Sequence, residues 1–89
     1  MTTIVTTFAV GNMDTFLAGG DVRKANLAKV CSSYRVFRHT DANRISVVLE
    51  NADPEKLKAF LSSPETKAAR AKNTVLDPMD SYIEVEGAM

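Results

Sequence analysis

The chain has 89 residues, the size of one small domain, so we expect a single domain over residues 1–89 with a thin hydrophobic core. Lys plus Arg and Asp plus Glu each number 11, and this balance argues against a nucleic-acid binder or a protein of anionic membranes. No apolar run approaches the roughly 18 residues of a membrane-spanning helix, and the first residues lack the pattern of a signal peptide. Cys31 is the single cysteine and cannot form an internal disulfide, so we expect a cytoplasmic protein.

The first third of the chain predicts a strand and then an interrupted helix. Residues 3–10 are β-branched and aromatic, which is typical of a strand. Asn12 or Asp14 can cap the helix that follows. Gly19-Gly20 lies inside the helical pattern, and two adjacent glycines cost a helix on the order of 2 kcal/mol relative to alanines. We therefore expect a kink or a break there, with a second helical piece that ends near Lys29.

The middle of the chain predicts a β-hairpin. Residues 33–39 and 44–50 are strand-like runs, and the turn-rich residues 40–43 separate them. A four-residue loop fixes which residues face each other across the two strands. The expected pairs are His39 with Arg44, Phe37 with Ser46, and Arg35 with Val48.

The last third predicts two helical pieces and a final strand. Asp53-Pro54-Glu55 combines an N-cap, a proline at the first helical position and an acid near the positive end of the dipole. Ser63-Pro64-Glu65 repeats this start signal, and the second piece should reach about Lys72. Asp77-Pro78 should break the chain before a last strand over residues 81–86. The order βαββαβ predicts an α+β ferredoxin-like sandwich, with the helices on one face of a four-stranded sheet and the first and third strands central.

Alternation along the strands sorts their side chains into an apolar set and a mixed set. The apolar set should pack under the helices and comprises Ile4, Phe8, Val10, Tyr34, Val36, Ile45, Val47, Leu49, Ile83 and Val85. The mixed set should form the other face and comprises Thr3, Val5, Thr7, Arg35, Phe37, His39, Ser46, Val48, Glu50, Tyr82, Glu84 and Glu86. Each strand gives the mixed face one large apolar group: Val5, Phe37, Val48 and Tyr82. A band of this kind usually marks an interaction surface, so we expect a homodimer built through these residues.

The motifs of several chemistries that this fold supports are absent from the sequence. A soft-metal chaperone would need a C-x-x-C motif after the first strand, and none follows it here. An RNA-recognition domain would need an aromatic residue on the third strand, and this strand carries none. No phosphate-binding loop, dinucleotide fingerprint or metal-spaced cluster occurs, so we predict no cofactor and no metal site.

The mixed face nevertheless offers a candidate ligand site, which we place between this face and the open end of the helices. Phe37 and Tyr82 would supply apolar contact, and Arg35 would bind an anion or enolate through its permanent charge and forked donors. His39 is the single histidine and the default proton carrier, hence the candidate catalytic residue, although most lone histidines are solvated surface residues. Cys31 follows a helix end and is expected to be a small core residue.

Several segments resemble one superfamily over nearly the whole chain. They are Tyr34-Arg35-Val36-Phe37-Arg38, Asp41-Ala42-Asn43, and Asp53 with the run from Lys58 to Glu65. The sequence is similar to the small dimeric α/β-barrel proteins, including antibiotic-biosynthesis-type monooxygenases and cyclase-like single-domain members. This resemblance implies a homodimer whose two sheets face each other and close into a barrel around a cavity. The sequence departs from such relatives because it lacks tryptophan and has Gly19-Gly20 within the first helix.

Two classes of function follow from these observations. The first is a homodimer that binds a small hydrophobic or aromatic metabolite in a cavity between sheet and helices, as a cyclase, isomerase or cofactor-free monooxygenase would. The second is a non-enzymatic binding or assembly protein whose sheet face serves only dimerisation.

Overall fold

Four strands and four helices make up the computed structural model, which describes residues 2–87. The elements are β1 (Thr2–Val10), α1 (Met13–Ala18), α2 (Gly20–Leu27), β2 (Ser33–Arg38), β3 (Arg44–Ala52), α3 (Pro54–Ser62), α4 (Pro64–Lys72) and β4 (Val75–Ile83). The strands pair antiparallel in the order β2-β3-β1-β4. The predicted ferredoxin-like α+β fold is therefore confirmed, with β1 and β3 at the centre of the sheet.

The helices begin where side chains can satisfy the first free backbone N–H groups. Asn12 Oδ1 accepts from the N–H of Thr15 at the start of α1. Asp53 Oδ1 accepts from the second and third residues of α3, and Ser63 Oγ accepts from the N–H of Thr66 in α4. A proline occupies the first position of both later helices, as the start signals predicted.

The break in the first helical region is confirmed. α1 ends at Ala18 and α2 begins at Gly20, with Gly19 between them as the cap of both. Gly19 also lies against the end of α4. A Cβ atom added to Gly19 would collide with Oδ1 of Asn73 and lie 3.1 Å from its Cγ. A Cβ added to Gly20 would meet nothing closer than a guanidinium nitrogen of Arg23 at 4.0 Å. Gly19 therefore permits the end of α4 to approach the junction of α1 and α2, whereas Gly20 has no such neighbour.

Alanine substitutions at the two glycines should consequently shift stability in opposite directions. Gly20→Ala should raise the free energy of unfolding by about 0.4–1 kcal/mol, because it restricts the unfolded chain without a clash. Gly19→Ala should lower it by about 1 kcal/mol, because Asn73 must move. Urea denaturation measures both values. The double variant Gly19→Ala/Asn73→Ala should regain the loss, and equal effects at the two positions would contradict this interpretation.

The hairpin has the predicted register. Arg35 pairs with Val48 and Phe37 with Ser46, and the N–H of His39 donates to the carbonyl of Arg44 at 2.9 Å. The mixed sets of β2 and β3 therefore share one face. We call this the outer face, since it lies away from the helices.

The hydrophobic core lies between the other face of the sheet, the inner face, and the helices. Its buried members are Ile4, Phe8, Val10, Phe16, Leu27, Val30, Ile45, Val47, Leu49, Ala52 and Leu57. The rings of Phe8 and Phe16 meet edge to face, with centroids 5.6 Å apart. Cys31, Tyr34 and Val36 pack against this core while partly buried, so most of the predicted apolar set lies where alternation placed it.

The prediction for the last strand was wrong in its limits. β4 begins at Val75, and Asp77-Pro78 lies within the strand instead of breaking it. The pairing with β1 is irregular between Thr7 and Ala9, opposite this segment, and an edge-strand bulge is where a proline without an N–H is tolerated. Ile83 does lie opposite Ile4, but it is 54% exposed because the helices do not cover the end of this edge strand. Val85 lies beyond β4 and is exposed, so neither residue belongs to the core.

Candidate functional site

The outer face brings three of the four predicted interface residues into one row. Val5 pairs with Val48 on one side and with Tyr82 on the other. Phe37 lies on β2 in the adjacent row, two residues after Arg35, and its partner on β3 is Ser46. Phe37 and Tyr82 are 47% and 60% exposed, while Val5 and Val48 are partly covered. The four predicted interface residues therefore share the outer face, with Phe37 diagonal to Val48, and Phe37 and Tyr82 are open to solvent in one protomer.

Arg35 lies at the end of this row with its charge already partnered. One of its nitrogens lies 3.3 Å from Oε1 of Glu50, and its guanidinium carbon lies 5.5 Å from the ring centroid of Phe37. Both charged side chains are largely exposed, so the ion pair contributes at most about 1 kcal/mol. In one protomer Arg35 is thus an exposed, paired cation next to an aromatic ring.

His39 lies at the hairpin turn. Its Nδ1 accepts a hydrogen bond from the N–H of Asp41 at 2.9 Å, and its side chain is exposed. His39, Arg35, Phe37 and Tyr82 share the outer-face side of the sheet, but none of them lines a pocket between sheet and helices. Their assignment as catalytic and ligand-binding residues stays a prediction, and it depends on a second protomer covering this face.

A separate cavity of about 110 Å³ lies between the inner face and helices α2, α3 and α4; we call it the inner cavity. Most of its wall is apolar. The apolar lining residues are Phe8, Val22, Leu27, Val47, Leu49, Leu57, Phe60, Leu61, Ala69, Val75 and Met79. It opens to solvent, so a small molecule can reach it without unfolding of an element.

Two threonines place hydroxyl groups in this apolar wall. Both are buried. The hydroxyl of Thr6 lies 3.2 Å from that of Ser81 across the β1–β4 pair, and the hydroxyl of Thr66 accepts from Ser63 at 2.8 Å. Each hydroxyl therefore has a partner within the protein, which removes the cost of burying an unpaired polar group.

Arg23 is the half-buried polar group that stands out in the wall of the inner cavity. Its guanidinium carbon lies 3.8 Å from the ring centroid of Phe16, and its Nη2 donates to the carbonyl of Phe16 at 2.6 Å. Burial lowers the pKa of the Arg23 guanidinium, an effect that the nearby Tyr34 opposes. The pKa of an arginine remains far above neutral pH even when it is lowered in this way, so Arg23 stays charged. The cavity wall therefore holds a partly desolvated cation.

Arg23 was not among the residues predicted from the sequence, although its spacing carries a signal. Residues 23, 26 and 27 follow the i, i+3, i+4 spacing of one face of α2. Leu27 on that face is buried, and so Arg23 is carried inward with it. The alternation of the strand residues indicated Arg35 instead.

Cys31 shows no sign of chemical activation. Its thiol donates to the carbonyl of Leu27 at 3.2 Å, and burial raises its pKa. A raised pKa leaves less thiolate at neutral pH, and the thiolate is the nucleophilic form. Cys31 is therefore best described as a small residue at the margin of the core.

Residues 2–87 contain neither a metal-binding cluster nor a membrane-spanning helix. In this range no group of three His, Cys, Asp or Glu side chains is arranged to hold a metal ion. None of the helices described is both long enough and apolar enough to cross a bilayer.

Solved structures of antibiotic biosynthesis monooxygenases share this fold. SnoaB, a cofactor-independent oxygenase from Streptomyces nogalater, superposes with a TM-score of 0.67 at 16% identity, over 97% of this chain and 94% of that chain. A protein from Chloroflexus aurantiacus assigned to the antibiotic biosynthesis monooxygenases gives 0.61 at 26% identity, over 98% and 95%. No family model and no curated protein sequence matches the chain. The resemblance seen in the sequence is thus confirmed in the fold, over nearly the full length.

Proposed function

Because this chain has the fold of the antibiotic biosynthesis monooxygenase-like proteins, we propose that it binds a small ring-bearing metabolite in the inner cavity. The observation that carries the proposal is the cavity itself: an apolar wall, open at one end, with a few polar groups in it. Ligand sites in proteins combine these features, since apolar walls supply affinity and sparse polar groups fix orientation.

The volume sets the size of the ligand. About 110 Å³ is comparable with the roughly 150 Å³ of an engineered apolar cavity that binds benzene. A single ring, or a two-ring compound that extends through the opening, fits this space. A larger polycyclic compound requires α2 or α4 to move outward.

The finer reaction class that we propose is cofactor-free oxygenation, with isomerisation and cyclisation as the alternatives implied by the resemblance. SnoaB, a cofactor-independent oxygenase, supports oxygenation as the first choice. Among the described lining residues there is no His, Asp or Glu that could remove a proton. The geometry therefore supports binding better than it supports any one reaction, and a base would have to come from the substrate itself.

A cavity-filling substitution tests the binding proposal. Indole should bind the wild type with a dissociation constant on the order of millimolar, as expected for a ligand of this size. Ala69→Leu should weaken binding at least about tenfold, because Ala69 lines the cavity and added methyl groups occupy the ligand's space. Chemical-shift changes in a ¹H–¹⁵N NMR titration measure the affinity and locate the bound ring.

The control lies one residue away. Ala68 is exposed on the same helix and does not line the cavity, so Ala68→Leu should bind indole as the wild type does. Equal weakening in both variants, or shifts confined to the outer face, would contradict the inner cavity as the site.

We also propose that the chain is a homodimer joined through its outer faces. The band of Val5, Phe37, Val48 and Tyr82 supports this, since one protomer leaves it exposed. Burying a patch against a copy of itself gives a closed two-fold dimer.

The charges on the outer face favour one orientation of the two-fold axis. Asp80 and Glu84 lie on the β4 side of this face, and the β2–β3 side carries Arg35, Arg44 and Glu50, which together leave a net positive charge. An axis that runs along the strands places β2 of one protomer over β4 of its partner, so that acidic and basic sides meet. An axis across the strands would place each side over its own copy, and like charges would face each other.

The alternative function is a non-enzymatic assembly protein that uses the outer face alone. Its sheet face would dimerise in the same way, while the inner cavity would hold no ligand. A native mass spectrum of the purified dimer separates the two. A co-purified small molecule supports the metabolite-binding proposal, and His39, Arg35, Phe37 and Tyr82 would then be tested as partner-covered contributors to a site.

A further inference from the structure

The charges in the wall of the inner cavity are all of one sign. Arg23 on α2 and Arg70 on α4 both line it, and among the described lining residues no carboxylate accompanies them. The chain as a whole is neutral, so this is a local excess and not a consequence of composition. Within residues 2–87 the ion pair that forms is Arg35–Glu50, on the outer face, and neither cavity arginine takes part in one.

Partial burial of Arg23 makes this excess costly. Arg23 lies near the start of α2, where its own N–H donates to the carbonyl of Gly19. Burial removes water that would otherwise stabilise the charge of the guanidinium, and the carbonyl of Phe16 in the last turn of α1 replaces only part of that water. A bound anion in the cavity would offset this cost.

The contacts of Arg23 leave donors available. One hydrogen bond to the carbonyl of Phe16 and stacking on its ring hold the guanidinium in place. A guanidinium has five N–H donors, and no other hydrogen bond from this side chain is formed within residues 2–87. The contact with Phe16 explains why the side chain is fixed, and it accounts for one of the five donors.

Arg70 on α4 contributes the second charge. It lies in the last turn of α4, where a cation is favoured by the helix dipole. Asn26 and Asn73 also line the cavity and can donate neutral hydrogen bonds. Every charged group that faces the cavity is thus suited to an electron-rich partner.

We propose that the inner cavity selects anionic ring compounds, that is, small aromatic or alicyclic molecules that carry a carboxylate, phenolate or enolate oxygen. Arg23 is the principal anchor for that oxygen, and Arg70 is the second cation. The ring packs against the apolar part of the wall. This inference rests on the proposed binding function and names the ligand class.

Benzoate and benzamide form a matched probe pair, since they have nearly the same shape and differ in charge. The wild type should bind benzoate about tenfold or more tightly than benzamide, as charge-assisted hydrogen bonds predict. Arg23→Gln should bring the two affinities to within about twofold, chiefly because it weakens benzoate binding. Arg23→Lys should keep part of the preference, because the charge remains but the forked donor is lost.

Arg44→Gln is the matched control, since it removes an exposed arginine from the outer face and should leave the preference intact. Binding of benzamide by each variant, followed in the same NMR titration, shows that the fold and the cavity persist. Should Arg23→Gln fail to fold, Arg70→Gln and Arg23→Lys must each reduce the preference for the proposal to stand.

The outcomes separate the two proposals. Equal binding of benzoate and benzamide by the wild type would overturn the anion inference and leave the binding function in place. Failure of benzoate, benzamide and indole to bind would overturn both. A benzoate preference that survives Arg23→Gln would overturn the role of Arg23.

Discussion

Phe16→Ala should lower the free energy of unfolding by about 3–5 kcal/mol, the loss typical of removing a buried aromatic ring. Phe16 is 1% exposed, meets Phe8 edge to face, and forms the surface on which Arg23 stacks. Its deletion leaves a cavity in a thin core and removes the platform of the guanidinium. Domains of this size have about 5–15 kcal/mol of total stability, so the variant should be partly unfolded under mild conditions.

Thermal and urea unfolding, followed by circular dichroism, measure this effect. The melting temperature should fall by at least about 12 °C, given about 4–8 °C for each kcal/mol in a small domain. Leu17→Ala is the matched control, because the next residue in α1 is 44% exposed and should cost well under half as much. Comparable losses at both positions would show that Phe16 does not anchor α1 to the sheet.

Phe37→Glu should convert the proposed homodimer to monomers. The substitution places a carboxylate within the expected interface, and each dimer contains it twice. Burying one unpaired charge costs about 3–5 kcal/mol, so the dimer dissociation constant should rise by at least about a hundredfold. Sedimentation velocity or light scattering measures the change at protein concentrations of about tens of micromolar, where many homodimers are populated.

Leu17→Glu is the control for this experiment. Leu17 is also an exposed apolar residue, but it lies on α1, away from the outer face, so the variant should remain dimeric. A monomeric wild type in the same measurement would contradict the dimer proposal. A dimeric Phe37→Glu variant would show that the protomers meet through another surface.

Local patterns determined which elements form and where most of them begin. Asp53-Pro54 and Ser63-Pro64 start helices because cap and proline act on the residues next to them. Gly19-Gly20 ends one helix and starts another because adjacent glycines disfavour a continuous helix. The short loop over residues 40–43 set the β2–β3 register, and alternation then assigned the side chains of the central strands to the two faces.

The edge strand and the cavity depended on contacts between distant residues. Pro78 is a break by local rules, yet pairing of β4 with β1 carries the chain through it as a bulge. Ile83 alternates correctly, but only the extent of the helices decides that it stays exposed.

The candidate binding residues divide in the same way. Sequence placed Arg35 among apolar neighbours on the correct face, whereas the tertiary structure pairs it with Glu50 in solvent. Arg23 becomes a cavity residue because the face of α2 that it shares with Leu27 is buried. A cavity is the space left where helices and sheet fail to meet, and that space is set by the packing of elements far apart in the chain. Local sequence therefore determined the elements and their faces, and only the tertiary structure decided which charges lie inside.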